Sequence, residues 1–321
     1  MRRLVGWIGI AASLGMFLVL AMGALVTNTA SGKGCGSTWP LCNGRFIPEI
    51  ALATVIEWSH RFVTGIESLF ILALSAGALI LYRRYREVQI LVPAMLLFLV
   101  AQAVLGALAA LYPEPSAVLA LHFGVSLISF ATVVLTTAFV REHDGADILR
   151  DRPTPTRTRA LIWGTLVYVY LVVYLGAYVR HSGASLACTS VPFCTGTSFG
   201  NLALWPVLVH LAHRAAAGLL VLLTFALWLI TRRDRAERPD LYRGSSIALA
   251  CVALQAVCGV FVVLTRLSLF STLVHAALAS LIFVSLSYCA YHLIPHHAPA
   301  TRRRGVRVVR TTATIGEMGA D

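Results

Sequence analysis

Long apolar runs alternate with short polar breaks along the whole chain. Runs such as 161–179, 221–230 with its upstream extension, and 273–286 within a longer segment carry almost no charge. A helix crossing lipid needs about 20 mostly apolar residues, and its helical form satisfies every backbone group where water is absent. Eight stretches meet that requirement, at approximately 4–27, 51–82, 88–112, 116–140, 160–180, 203–231, 245–265 and 270–293. The first opens Met-Arg-Arg and stays apolar past signal-peptide length, so it reads as a retained helix. The predicted class is all-α, an integral membrane protein with eight transmembrane helices.

Composition supports this: 58% of residues are apolar and 12% charged, more apolar surface than a soluble fold can hide. The net charge of +12 invites a nucleic-acid partner, but its distribution argues against one. With the N-terminus in the cytoplasm, the inner segments hold twenty of the 26 Lys and Arg. The outer loops hold Lys33, Arg45, Arg180 and Arg266, and Arg61 and Arg214 lie near outer helix ends. This positive-inside bias predicts a multi-pass cell-membrane protein with both termini cytoplasmic. The basic tail then faces solvent or lipid headgroups.

The chain also matches itself at an offset of 153 residues. Gly23, Ala24 and Val26 match Gly176, Ala177 and Val179; Cys35 matches Cys188; His60, Arg61 and Gly65 match His213, Arg214 and Gly218. Gln102-Ala103-Val104 and Gly106 match Gln255-Ala256-Val257 and Gly259, and His122 matches His275. Rare residues at one offset without gaps mark a true repeat. Its unit is four helices, an even number, so the two copies share one orientation. The expected architecture is two parallel-repeat four-helix bundles: an N-terminal half at 1–140, a cytoplasmic linker at 141–159 rich in charge, Pro and Thr, a C-terminal half at 160–293, and a cytoplasmic basic tail at 294–321.

Four histidines repeat with the copies. His60 and His122, like His213 and His275, are 62 residues apart, and all four fall one to three turns inside the outer ends of helices. Ionisable groups in lipid are costly and usually functional, and two imidazoles facing across a four-helix bundle suit axial ligation of haem iron. Zinc would want further ligands at short helical spacing, which are missing. A lone histidine could equally hydrogen-bond a neighbouring helix; two duplicated pairs argue for the haem. The remaining histidines rank lower: His143 in the linker, His292, His296 and His297 at the inner end, and His181 beside Arg180.

The two copies differ at one point near the ligands. Glu57 shares a helix face with His60, three residues on. The second copy has His210 there instead. Glu57 either takes part in chemistry or pairs with Arg61 at the outer water. Glu67, deeper on nearly the same face, is replaced by Leu220, and is either a proton relay or a protonated, hydrogen-bonded acid. Arg61 and Arg214 either meet haem propionates or snorkel to headgroups, and Arg180 is a further propionate candidate. The outer loops carry Cys35 with Cys42 and Cys188 with Cys194. The outside is oxidising, so each pair is expected to form a disulfide. Cys35–Cys42 either stiffens a cap or is redox-active. Cys251, Cys258 and Cys289 read as inert helix residues.

These residues together resemble the haem A synthases, in the bacterial branch with a cysteine pair in each half. The resemblance covers roughly 4–293 and rests on Cys35 and Cys42, Glu57-x-x-His60-Arg61, His122, Cys188 and Cys194, His213-Arg214 and His275. It implies oxidation of the C8 methyl of haem O to a formyl group by two successive hydroxylations. It further implies that His60 and His122 receive the substrate haem O, that His213 and His275 hold one haem b that passes electrons, and that Glu57 acts at the reacting methyl. Haem O synthase and an electron donor become candidate partners. A bis-histidine cytochrome b carrier and a haem-handling protein are the rivals. Haem O synthase itself is disfavoured, since prenyl transfer needs clustered aspartates and no Asp falls inside a predicted helix.

Overall fold

The computed structural model describes residues 1–112, 115–142, 152–191, 194 and 204–294. The tail from 295, with His296 and His297, lies outside the described residues, as do His143 and residues 143–151 of the linker. Eight helices run the length of the described chain: α1 (Arg2–Asn28), α2 (Leu52–Tyr82), α3 (Arg86–Leu111), α4 (Ser116–Glu142), α5 (Thr156–His181), α6 (Leu204–Arg233), α7 (Pro239–Leu264) and α8 (Leu269–Tyr291). Each is long and apolar enough to cross a membrane. A single 3-10 turn, Ala184–Leu186, follows α5. Many serines and threonines within the spans hide their hydroxyls on the carbonyl one turn back, as Ser75 does on Ile71 O at 2.7 Å and Thr136 on Thr132 O at 2.7 Å.

Helix starts and ends follow the apolar pattern closely, with one clear departure. The apolar stretch at 245–265 predicts a later start for α7, but the helix begins at Pro239, with Asp240 in its first turn. Proline is preorganised for the first helical position, and an acid there suits the positive end of the helix dipole. An aspartate therefore does lie inside a helix. It is a lone one, paired to Arg238 at 2.7 Å and not part of an acidic cluster.

Neighbour relations set out the architecture. α1 packs on α2 and α4, and α3 on α2 and α4; α5 packs on α6 and α8, and α7 on α6 and α8. α4 meets α5, and α8 meets α1, α4 and α5. The middle of the molecule is thus made by α1, α4, α5 and α8, with α2, α3, α6 and α7 outside them. α4 and α8 are the most enclosed spans, with 56% and 39% of their apolar windows buried. They are also the helices that carry His122 and His275. At the end that carries the disulfide loops, the outer end by the charge bias of the sequence, Arg180 of α5 donates to Asn28 Oδ1 (3.0 Å) and Thr27 O (3.3 Å) at the end of α1. At the inner end Arg238 donates to His292 O at 2.9 Å and reaches Thr154 and Arg152 O, so the start of α7, the end of α8 and the segment before α5 are tied together.

Candidate functional site

Each histidine of the repeat is the seventh to tenth residue from the outer end of its helix: His60 in α2, His122 in α4, His213 in α6 and His275 in α8. All four are partly buried. His60 and His122 lie close enough to feel each other's charge, and so do His213 and His275. α2 and α4 touch only marginally, and α6 and α8 make no substantial contact. Each pair therefore stands on helices placed diagonally to one another. None of the four buried Nδ1 atoms makes a hydrogen bond. Among the described residues no three of His, Cys, Asp and Glu gather into a metal cage. Two imidazoles on diagonally placed helices fit a flat macrocycle, whose iron needs only two donors from the protein.

Glycines make room for these rings. A Cβ added at Gly23 in α1 would stand 3.4 Å from His60 Cε1; one at Gly106 in α3 would stand 3.3 Å from His122 Cε1. In the second half a Cβ at Gly176 would stand 2.7 Å from His213 Cε1, and one at Gly259 would stand 3.3 Å from His275 Cε1. Every ligand candidate thus lies against a glycine of the preceding helix, at positions the repeat keeps. The self-match contains these glycines. Their contact with the imidazoles emerges only once helices are packed, because separations of 37 and 16 residues, though repeated in both copies, do not by themselves imply contact.

Glu57 is buried, and both its oxygens are engaged. Oε2 accepts from the Cys35 backbone N–H at 2.9 Å, and Oε1 pairs with Arg61 Nη2 at 2.5 Å. Arg61 Nη1 also donates to Thr38 O (2.7 Å) and Leu41 O (3.1 Å). One carboxylate and one guanidinium at the outer end of α2 therefore grip the loop closed by the Cys35–Cys42 disulfide. In the second half Cys188 is bonded to Cys194, and Arg214 repeats the grip, donating to Ser190 O at 2.7 Å and Cys188 O at 2.8 Å. His210, 4% exposed, occupies the place of Glu57. The three arginines singled out for propionates thus all hold backbone carbonyls here, and Arg180 joins the ends of two helices. Lys33, which no motif marks, donates to Ala109 O (3.3 Å) and Ala110 O (3.0 Å) near the outer end of α3. Carbonyl partners leave no trace in a sequence, since every residue has one.

The fold and site define a class: a multi-pass helical membrane protein with two diagonal histidine pairs near disulfide-closed loops. A family model described as cytochrome oxidase assembly protein, COX15-CtaA, matches residues 6–287, and the chain belongs to that family. It is 40% identical over 291 residues to a heme A synthase of Bacillus cereus (strain 03BB102), covering 90% of this chain and 93% of the relative. Heme A synthases of Bacillus anthracis (strain CDC 684 / NRRL 3495) and Bacillus thuringiensis subsp. konkukian (strain 97-27) match at the same identity and coverage.

Proposed function

We propose that this chain is a haem A synthase, oxidising the C8 methyl of haem O by two successive hydroxylations to a geminal diol, which loses water to leave the formyl group. Near-full-length identity to proteins of that name carries the reading. The duplicated histidine pairs, with Glu57 in one copy and His210 in the other, are the chemistry that agrees with it.

The work divides between residues 1–140 and 160–293, with 141–159 as a cytoplasmic linker and 294–321 as a cytoplasmic tail of a cell-membrane protein. His60 and His122 hold the substrate haem O by its iron. His213 and His275 hold one haem b. A bound haem b supplies reversible one-electron chemistry, and the protein contributes orientation and charge. Gly106 lets His122 stand close against α3, and Gly176 and Gly259 do the same for the second pair, while His60 lies at ordinary contact with Gly23. Glu57 holds the Cys35–Cys42 loop over the substrate half and places a carboxylate at its edge, beside the reacting methyl. Arg61, Arg214 and Arg180 keep positive charge at the outer end, where anionic propionates belong. The haem O synthase that provides the substrate, and an electron donor, are the protein partners.

A two-haem electron carrier would need neither Glu57 nor a difference between the copies. Selective loss of bound haem tests the division. His213→Ala and His275→Ala remove the haem b spectrum, and His60→Ala and His122→Ala leave it. A haem b spectrum that survives both second-half variants overturns the assignment of the halves.

A further inference from the structure

Glu67 is a buried acid that nothing within the bundle explains. It lies on α2 seven residues beyond His60, on nearly the same face and roughly 10 Å farther into the membrane. It is 3% exposed, and its Oε1 has no hydrogen-bond partner. No cation is paired with it among the described residues. A carboxyl left this way in a membrane bundle is costly unless something else meets it.

α1 is shaped around this acid. A Cβ at Gly15 would overlap Glu67 Oε2. Gly15 therefore leaves space that Glu67 fills and no side chain could share, on the helix whose Gly23, eight residues on, lies against His60. At the repeat offset the second half has Tyr168 for Gly15 and Leu220 for Glu67. Leu220 is 5% exposed, and the Tyr168 hydroxyl donates to Ala216 O at 3.0 Å. The volume given up on one helix is recovered on the other, and the polar tip is satisfied by backbone. The second half thus presents an aliphatic side chain at the depth where the first keeps an unpartnered acid.

The two haems differ in a matching way. Haem O carries a hydroxyl-bearing farnesyl arm where haem b carries a vinyl group. A macrocycle that turns its anionic propionates to the aqueous outer end turns that arm toward the bilayer interior, since the two kinds of substituent lie on opposed edges. We propose that Glu67 is a specificity-determining residue that meets the alcohol of the substrate's isoprenoid arm and selects haem O for the first half. Leu220 suits the second half to the vinyl-bearing haem b. This rests on the first half being the substrate half.

The test uses full-length protein stripped of haem. It is reconstituted without oxidant or electron donor from equimolar haem O and haem b, freed of excess, extracted and chromatographed, with any haem A counted as haem O. Glu67→Leu lowers the retained ratio of haem O to haem b roughly three- to tenfold, the worth of one buried hydrogen bond. The double variant Gly15→Tyr with Glu67→Leu copies the second half's own pair and keeps the packed volume, and it shows the same loss. Glu67→Gln, which still donates and accepts, stays close to the unaltered ratio. Full retention of haem O preference in the double variant overturns the proposal alone. His60→Ala reports on the reading beneath it: retained haem O falls and haem b stays. Loss of haem b instead overturns the assignment of the halves and the proposal with it.

Discussion

Gly176 of α5 and His213 of α6 are in such close contact that a single added carbon would stand 2.7 Å from the imidazole Cε1. Real side chains essentially never approach so nearly, so an alanine there must displace the ring or part the helices. The corresponding spacing at Gly23 and His60 is 3.4 Å, an ordinary contact. Two equivalent positions of the repeat therefore differ in tolerance.

Gly176→Ala is expected to cost about 1–3 kcal/mol of overpacking and to reduce bound haem b. Gly23→Ala leaves haem content and thermal midpoint near those of the unaltered protein. Haem per protein, measured by pyridine haemochrome, checks both. Equal losses at the two positions would show that the glycines do not set the rings.

The Glu57–Arg61–Cys35 arrangement makes a second prediction. Glu57→Ala leaves a largely buried guanidinium without its carboxylate and the Cys35 N–H without its acceptor. Charge-assisted bonds of this kind contribute about 1.5–3 kcal/mol. Thermal stability falls accordingly, haem A formation stops and the haem b spectrum remains. Glu57→Gln keeps an acceptor for Cys35 N–H and loses the ion pair, so it recovers part of the stability and none of the charge. Haem b vanishing along with activity in Glu57→Ala would assign Glu57 to the whole bundle instead of its first half.

Much of this was legible in the sequence, and the reasons are physical. Lipid imposes one length and one polarity on every span, so seven of eight helices begin close to where the apolar runs do. α7 begins early because Pro239 and Asp240 build a stable first turn from polar residues, which an apolar count passes over. The histidines stand out because rare polar residues repeated in lipid are conspicuous. Their glycine partners do not, because contact between helices is set by packing. Glu57 is visible as an oddity, but its hold on a backbone N–H of the cysteine loop is not. Glu67 is visible as an acid, and its fit against Gly15 is not.

His292 makes a prediction about pH. It lies just past α8, 1% exposed, with Nδ1 3.2 Å from Asp240 Oδ2 and Nε2 3.6 Å from Glu142 Oε2. Burial alone pushes the imidazole down, but the carboxylates of Asp240 and Glu142 outweigh it and hold the group above its ordinary value. A raised folded-state value means that protonation favours the fold. The stabilisation is full below the ordinary histidine range and is lost as pH rises through the raised value. Thermal midpoints of the detergent-solubilised protein should therefore fall across that window. His292→Gln should flatten the slope there, and an unchanged slope in His292→Gln would remove His292 as its source.

The central claim is the conversion of haem O. Membranes containing this chain, supplied with haem O, are extracted and the pigments separated by chromatography, with His60→Ala and His122→Ala alongside. Haem A from the unaltered chain, and haem O with haem b but no haem A from the two variants, is the result predicted. Haem O left wholly unconverted by the unaltered chain, with haem b bound at His213 and His275, would contradict it.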